Sequence, residues 1–107
     1  MFIKKKNCTP EVVDSGAVRM IKGFIPELMV VELTWEAGQE GAVHTHPHCQ
    51  CGYIIEGTFE ATVGDETEIL HGGDCFYAES NVPHGLVALT AGKMLDIFTP
   101  MREDFIK

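Results

Sequence analysis

His44-Thr45-His46-Pro47-His48-Cys49-Gln50 is the stretch whose reading decides the fold of this chain. Side chains of a β-strand alternate between its faces, so His44 and His46 point the same way if the backbone is extended. Gln50 brings a carbonyl oxygen to that point if the strand continues past Pro47. A further histidine, His84, must return from a distant strand, as it does in a closed β-barrel. Three imidazoles and one amide oxygen form a ligand set for a divalent transition metal, with coordination positions left for an exogenous ligand. His48 shares the parity of His44 and His46, but Pro47 disturbs the strand, and His48 reads as a supporting or surface residue. His71, beside Gly72-Gly73, reads as a turn residue.

The glycines around these residues carry a resemblance. Gly38-x5-His44-x-His46-x3-Gln50-x6-Gly57 is similar to the first motif of the cupins, with Gln50 where Glu is usual. Gly73 and His84 keep the spacing of the second motif, Gly-x5-Pro-x-Gly-x2-His-x3-Asn. Its punctuation differs, because Glu79, Asn81 and Ala88 replace the proline, the glycine and the final asparagine.

The rest of the chain reads as short strands separated by glycine turns. Ala17–Lys22 and Leu28–Trp35 form two runs, and Val31, Leu33 and Trp35 alternate with Val30, Glu32 and Thr34 as in a half-buried strand. Gln50–Glu56 and Thr58–Val63 form a pair turning at Gly57, with Phe59, Ala61 and Val63 on one face. Gly64-Asp65 is a two-residue hairpin signal. His84–Thr90 and Lys93–Thr99 complete the set, and Arg102–Lys107 suits a terminal turn. No internal segment has a helical period. Many short strands imply a sandwich or barrel, and with the motif spacing the expectation is an all-β, single-domain jelly-roll barrel, the double-stranded β-helix of the cupins, over residues 1–107.

Composition bounds the partners. The formal charge is −8, with no basic run beyond Lys4–Lys6, which disfavours nucleic acid and anionic membranes. Lys4–Lys6 is followed by polar residues and not by an apolar stretch, so neither a signal peptide nor a membrane span is expected, and the chain reads as cytoplasmic. Cys49 and Cys51 flank Gln50 and point away from its face. On an extended strand they lie roughly 6.6–7 Å apart, at the limit for a bridge, and read as small buried hydrophobes. A small barrel that is apolar on both sheet faces, such as Leu95 and Ile97 opposite Asp96 and Phe98, implies a homodimer.

Leu95-Asp96-Ile97-Phe98-Thr99-Pro100-Met101-Arg102-Glu103-Asp104-Phe105 closely resembles the carboxyl end of the KdgF-type cupins of pectin and alginate breakdown, as does His44–Gln50 with its glutamine ligand. The resemblance runs nearly end to end. It implies an enzyme that opens the ring of 4,5-unsaturated uronate monosaccharides to give the open-chain 5-keto-4-deoxyuronate, so the partner is a small anionic sugar. It implies one divalent metal (nickel, zinc, iron, manganese or copper) at His44, His46, Gln50 and His84. It also places Asp96, Phe98 and Arg102 in the catalytic cavity. Without the resemblance, Asp96 reads as half of a buried Asp–Arg pair, Phe98 as core and Arg102 as a terminal surface charge.

Two other functions compete. Many cupins hold iron with three His and one Glu for dioxygenase chemistry, against which Gln50 and the Asp96–Arg102 segment argue. A sugar-binding or sensing cupin is usually joined to a DNA-binding helix-turn-helix, for which the 107 residues leave no room.

Overall fold

The computed structural model describes Met1–Ile106 and contains ten strands and two single 3₁₀ turns, at Lys5–Asn7 and Glu103–Phe105. In chain order the strands are β1 (Glu11–Val12), β2 (Val18–Ile25), β3 (Leu28–Trp35), β4 (Glu40–His44) and β5 (Cys49–Glu56). They continue with β6 (Thr58–Val63), β7 (Glu66–His71), β8 (Cys75–Ala78), β9 (His84–Ala88) and β10 (Gly92–Thr99). Every pairing is antiparallel. One sheet has six strands in the order β1-β2-β3-β10-β5-β8, and the other has four in the order β4-β9-β6-β7.

This is the jelly roll expected from the sequence, with one correction. The two sheets face each other as a sandwich, and among the described residues no ladder joins them into the closed barrel anticipated above. The polarity pattern explains the layering. In β3, Met29, Val31, Leu33 and Trp35 are buried while their neighbours are not. In β10, Met94, Asp96 and Phe98 are buried, and Leu95 and Ile97 face outward, half-buried. Phe59 and Ala61 of β6 are buried on the opposite sheet, and the Phe59 ring meets the Trp35 ring edge-on at 6.2 Å. Aromatic pairs in this geometry add to the area they bury.

Local pairing departs from the sequence reading at Gly57. The runs on either side of it, β5 and β6, do not form a hairpin but belong to different sheets. Gly57 has φ +93°, and a Cβ there would stand 2.6 Å from the Ala91 carbonyl oxygen. Only glycine allows the chain to cross between the sheets at that point. By contrast, the Gly64-Asp65 hairpin forms as expected, with Val63 opposite Glu66. The terminal turn also forms, at Glu103–Phe105, and Lys107 lies outside the described residues. The cysteines are unpaired thiols, and of the two that flank Gln50, expected to be small buried residues, Cys49 is exposed and Cys51 half-buried. No helix among the described residues is long and apolar enough to cross a membrane.

Candidate metal and substrate site

The histidine pair does not lie on one strand. His44 ends β4, and His46 follows in the connection to β5. Pro47 breaks the extended run, so Gln50 arrives on a new strand in the opposite sheet. The convergence is therefore tertiary. His84 opens β9 directly across from His44, while Gln50 projects from β5 beside β10. The loop before His84 is held by Asn81, whose main-chain N–H donates to the His46 carbonyl at 2.9 Å. Asn81 has φ +64°, a left-handed conformation that asparagine tolerates better than most residues. It can therefore stand where the motif usually carries glycine.

Nitrogen atoms of His44, His46 and His84 all lie within 4.8 Å of one another. Each ring is held by a main-chain carbonyl. His44 Nδ1–H donates to Ala42 at 2.8 Å, His46 Nδ1–H to His48 at 3.0 Å, and His84 Nδ1–H to Val82 at 2.9 Å. Because a carbonyl only accepts, Nδ1 carries the proton, and Nε2 of the neutral ring presents a lone pair. Gln50 Oε1, also an acceptor, lies 3.0 Å from His46 Nε2 and 2.9 Å from His84 Nε2. Second protons on the rings would remove this mismatch, but burial opposes them and lowers the pKa of both His46 and His84. A cation resolves it, and imidazole nitrogen with amide oxygen suits a divalent transition metal. His48 thus supports the cluster through its carbonyl oxygen.

Asp96 is buried on the same inner face. Its Oδ1 accepts a 2.8 Å hydrogen bond from Gln50 Nε2, which fixes the orientation of the Gln50 amide. Desolvation pushes its pKa from 3.8 up to about 7, against the opposing effects of the Gln50 hydrogen bond and the Arg102 charge. Phe98 is buried and packs edge-on against His46 at 5.7 Å. The Arg102 guanidinium lies 5.1 Å from the Phe98 ring centre and 4.3 Å from that of Phe105. An Asp96–Arg102 ion pair is not formed. Arg102 instead donates from Nε and Nη2 to Asp104, at 3.0 and 2.8 Å, and this pairing holds the Asp104 pKa below its ordinary value.

A cavity of about 590 Å³ opens between the sheets, lined by His44, Gln50, His84, Asp96, Phe98 and Arg102 among others. That volume lies within the roughly 300–1,000 Å³ range of small-molecule sites. All the expected site residues except His46 reach its wall. Sequence reasoning missed Arg19, Glu11 and Phe105, which also line it. Arg19 lies in an alternating strand run, and nothing in its local pattern distinguishes it from a surface arginine.

A jelly-roll sandwich gathering three histidines and an amide oxygen between its sheets has the architecture of a cupin, and a family model described as Cupin domain matches residues 31–98. The chain is 37% identical over 98 residues to the pectin degradation protein KdgF of Dickeya dadantii (strain 3937), covering 90% of this chain and 89% of that one. It superposes on the structure of KdgF from Halomonas sp. with a TM-score of 0.92 and 34% identity, covering 98% of this chain and 97% of the other. An RmlC-like cupin from Shewanella frigidimarina NCIMB 400 gives a TM-score of 0.93 and 38% identity, covering 97% and 94%. The chain belongs to the KdgF family of cupins.

Proposed function

We propose that this protein is an enzyme of pectin or alginate breakdown that opens the ring of 4,5-unsaturated uronate monosaccharides, giving the open-chain 5-keto-4-deoxyuronate. The observation that carries the proposal is the Gln50 amide, which joins a neutral acceptor cluster on one side to a buried carboxyl group on the other. Membership of the KdgF family supports the substrate class.

His44, His46, Gln50 and His84 would hold one divalent metal. All four are neutral, so the bound ion keeps its full charge to hold a substrate carboxylate or polarise an oxygen. The remaining chemistry is proton transfer. Opening the ring removes the proton from the anomeric hydroxyl, forms the C1 carbonyl and breaks the bond from C1 to the ring oxygen. The electron pair passes to that oxygen as an enolate over C4 and C5, and a proton added at C4 completes the ketone. No atom is gained or lost. Asp96 is the group suited to take the first proton and return one at C4, since its carboxyl lies on the cavity wall beside Gln50, buried from bulk water. Phe98 shields Asp96 from water, and Arg102, with one edge committed to Asp104, keeps its other edge for a substrate oxygen.

The test is to mix purified, metal-loaded protein with a 4,5-unsaturated uronate and follow the conjugated absorbance. Its loss, with the open-chain product detected, is expected. Unchanged absorbance across candidate metals overturns the proposal.

A further inference from the structure

Two guanidinium groups, not one, border the cavity. Arg19 projects from β2 and lies 4.0 Å from the Phe105 ring centre, and Arg102 lies 4.3 Å from the same ring. Stacking on an aromatic ring restrains a guanidinium that would otherwise sample many rotamers. The two are committed differently. Arg102 is held by both oxygens of Asp104. Arg19 makes a single ion pair, from Nε to Glu11 Oε1 at 2.9 Å. Its two terminal nitrogens have no hydrogen-bond partner among the described residues. The Arg19 side chain is only 18% exposed, whereas that of Glu11 is 46% exposed. A guanidinium shielded by the cavity wall thus faces a carboxylate that is free to leave into solvent.

We propose that Arg19 is a specificity-determining residue of this cavity, binding the carboxylate of a monosaccharide acid through its terminal nitrogens, with Glu11 as the internal competitor for that guanidinium. A planar fork matched to a planar carboxylate gives two parallel charge-assisted hydrogen bonds, which a neutral sugar cannot make. In a chain with a net charge of −8, a local cation of this kind is what permits an anionic ligand to enter. Glu11, one of only two residues in β1, ties the edge strand to Arg19. Entry of an anion weakens that tie, so the ligand carboxylate and Glu11 compete.

The inference rests on the uronate reading above, but its test does not require turnover. Calorimetry of the metal-loaded protein with D-galacturonate and with D-galactose separates the carboxylate from the rest of the ring. Arg19→Gln is expected to weaken galacturonate roughly tenfold, the loss typical of a charge-assisted hydrogen bond, and to leave galactose unchanged. Arg19→Lys, which keeps the charge but not the fork, should fall between Arg19→Gln and the wild type, and it serves if Arg19→Gln melts early. Glu11→Gln should bind galacturonate more tightly. A purely structural Glu11–Arg19 pair gives the opposite pattern, with both substitutions weakening both sugars together, and that result overturns the proposal. So does equal galacturonate affinity in the wild type and Arg19→Gln, or no galacturonate binding to the wild type. With a 4,5-unsaturated uronate as substrate, Arg19→Gln should raise KM severalfold with a smaller effect on kcat. If the wild type opens no uronate, the proposed function fails, while the galacturonate comparison still decides the role of Arg19.

Discussion

Gln50 bridges to Asp96: its Nε2 donates to Asp96 Oδ1 at 2.8 Å, while its Oε1 lies within 3.0 Å of the Nε2 atoms of His46 and His84. The strand register creates the relationship. β5 and β10 pair with Gln50 opposite Phe98 and Gly52 opposite Asp96, so the two polar side chains are diagonal neighbours on one inner face, within reach of each other.

Asp96→Ala should keep the fold and the metal and lose about 10²–10⁴-fold in uronate turnover, the usual contribution of a positioned acid–base group. The metal is retained because the three histidines are untouched, although Gln50 loses the partner that orients its amide. Wild-type turnover in this variant would remove Asp96 from the reaction.

Burial of Asp96 also has a pH signature in the metal-free protein. Its folded pKa is raised from 3.8 to about 7, so between those values the folded state keeps a proton that the unfolded chain releases. The stability associated with this group is therefore fully present below about pH 4 and is lost as pH rises through 7. Asp96→Asn cannot ionise, and its Oδ1 still accepts from Gln50. Its melting temperature should gain on that of the wild type between pH 5 and pH 8.5, and parallel melting curves across that range would count against the burial account.

His46→Ala should lower the bound metal measured by elemental analysis, whereas full occupancy there would falsify the ligand assignment. Gln50→Glu probes the same bridge from the other side. It supplies a carboxylate where the amide donated to Asp96, so two acids face each other, and one must stay protonated or repel the other. We expect the variant to bind metal but to lose most turnover and to melt lower at pH 8.5 than at pH 5. Wild-type turnover and melting would show that the amide donor is dispensable.

Gly52→Val should unfold or strongly destabilise the protein. A Cβ at Gly52 would run into the Phe76 ring, which packs over this position on the strand next to Asp96. Overpacking of this kind costs roughly 1–3 kcal/mol or more, and a denaturant melt with an unaltered midpoint would show that Phe76 moves freely.

The homodimer is proposed on the outer face of the larger sheet. Leu95 and Ile97 face outward there, beside the exposed side chains of Tyr53, Ile55 and Tyr77. An exposed apolar face of this kind is suited to pair with its twin about a two-fold axis. Light scattering at micromolar concentration should report twice the chain mass, and Tyr77→Asp should shift it towards monomer. A monomeric wild type would refute the arrangement.

Much of this protein is determined locally and can be read in the chain. Alternation places Val31, Leu33 and Trp35 inside because period two is intrinsic to an extended backbone. Gly64-Asp65 makes its hairpin from its own conformational preferences, and the histidine and glycine spacing identifies the cupin site. The tertiary structure decided what depends on contacts between distant segments. Pro47 ends one strand, so His44 and Gln50 meet from opposite sheets and not along one strand. Gly57 separates β5 from β6 because of where the Ala91 carbonyl lies. Arg102 chooses Asp104 over Asp96, and Arg19 enters the cavity, because packing on Phe105 sets where each guanidinium stops. Backbone periodicity and turn preference act over a few residues, whereas a side chain's partner across the cavity depends on long-range register, which short-range pattern does not carry.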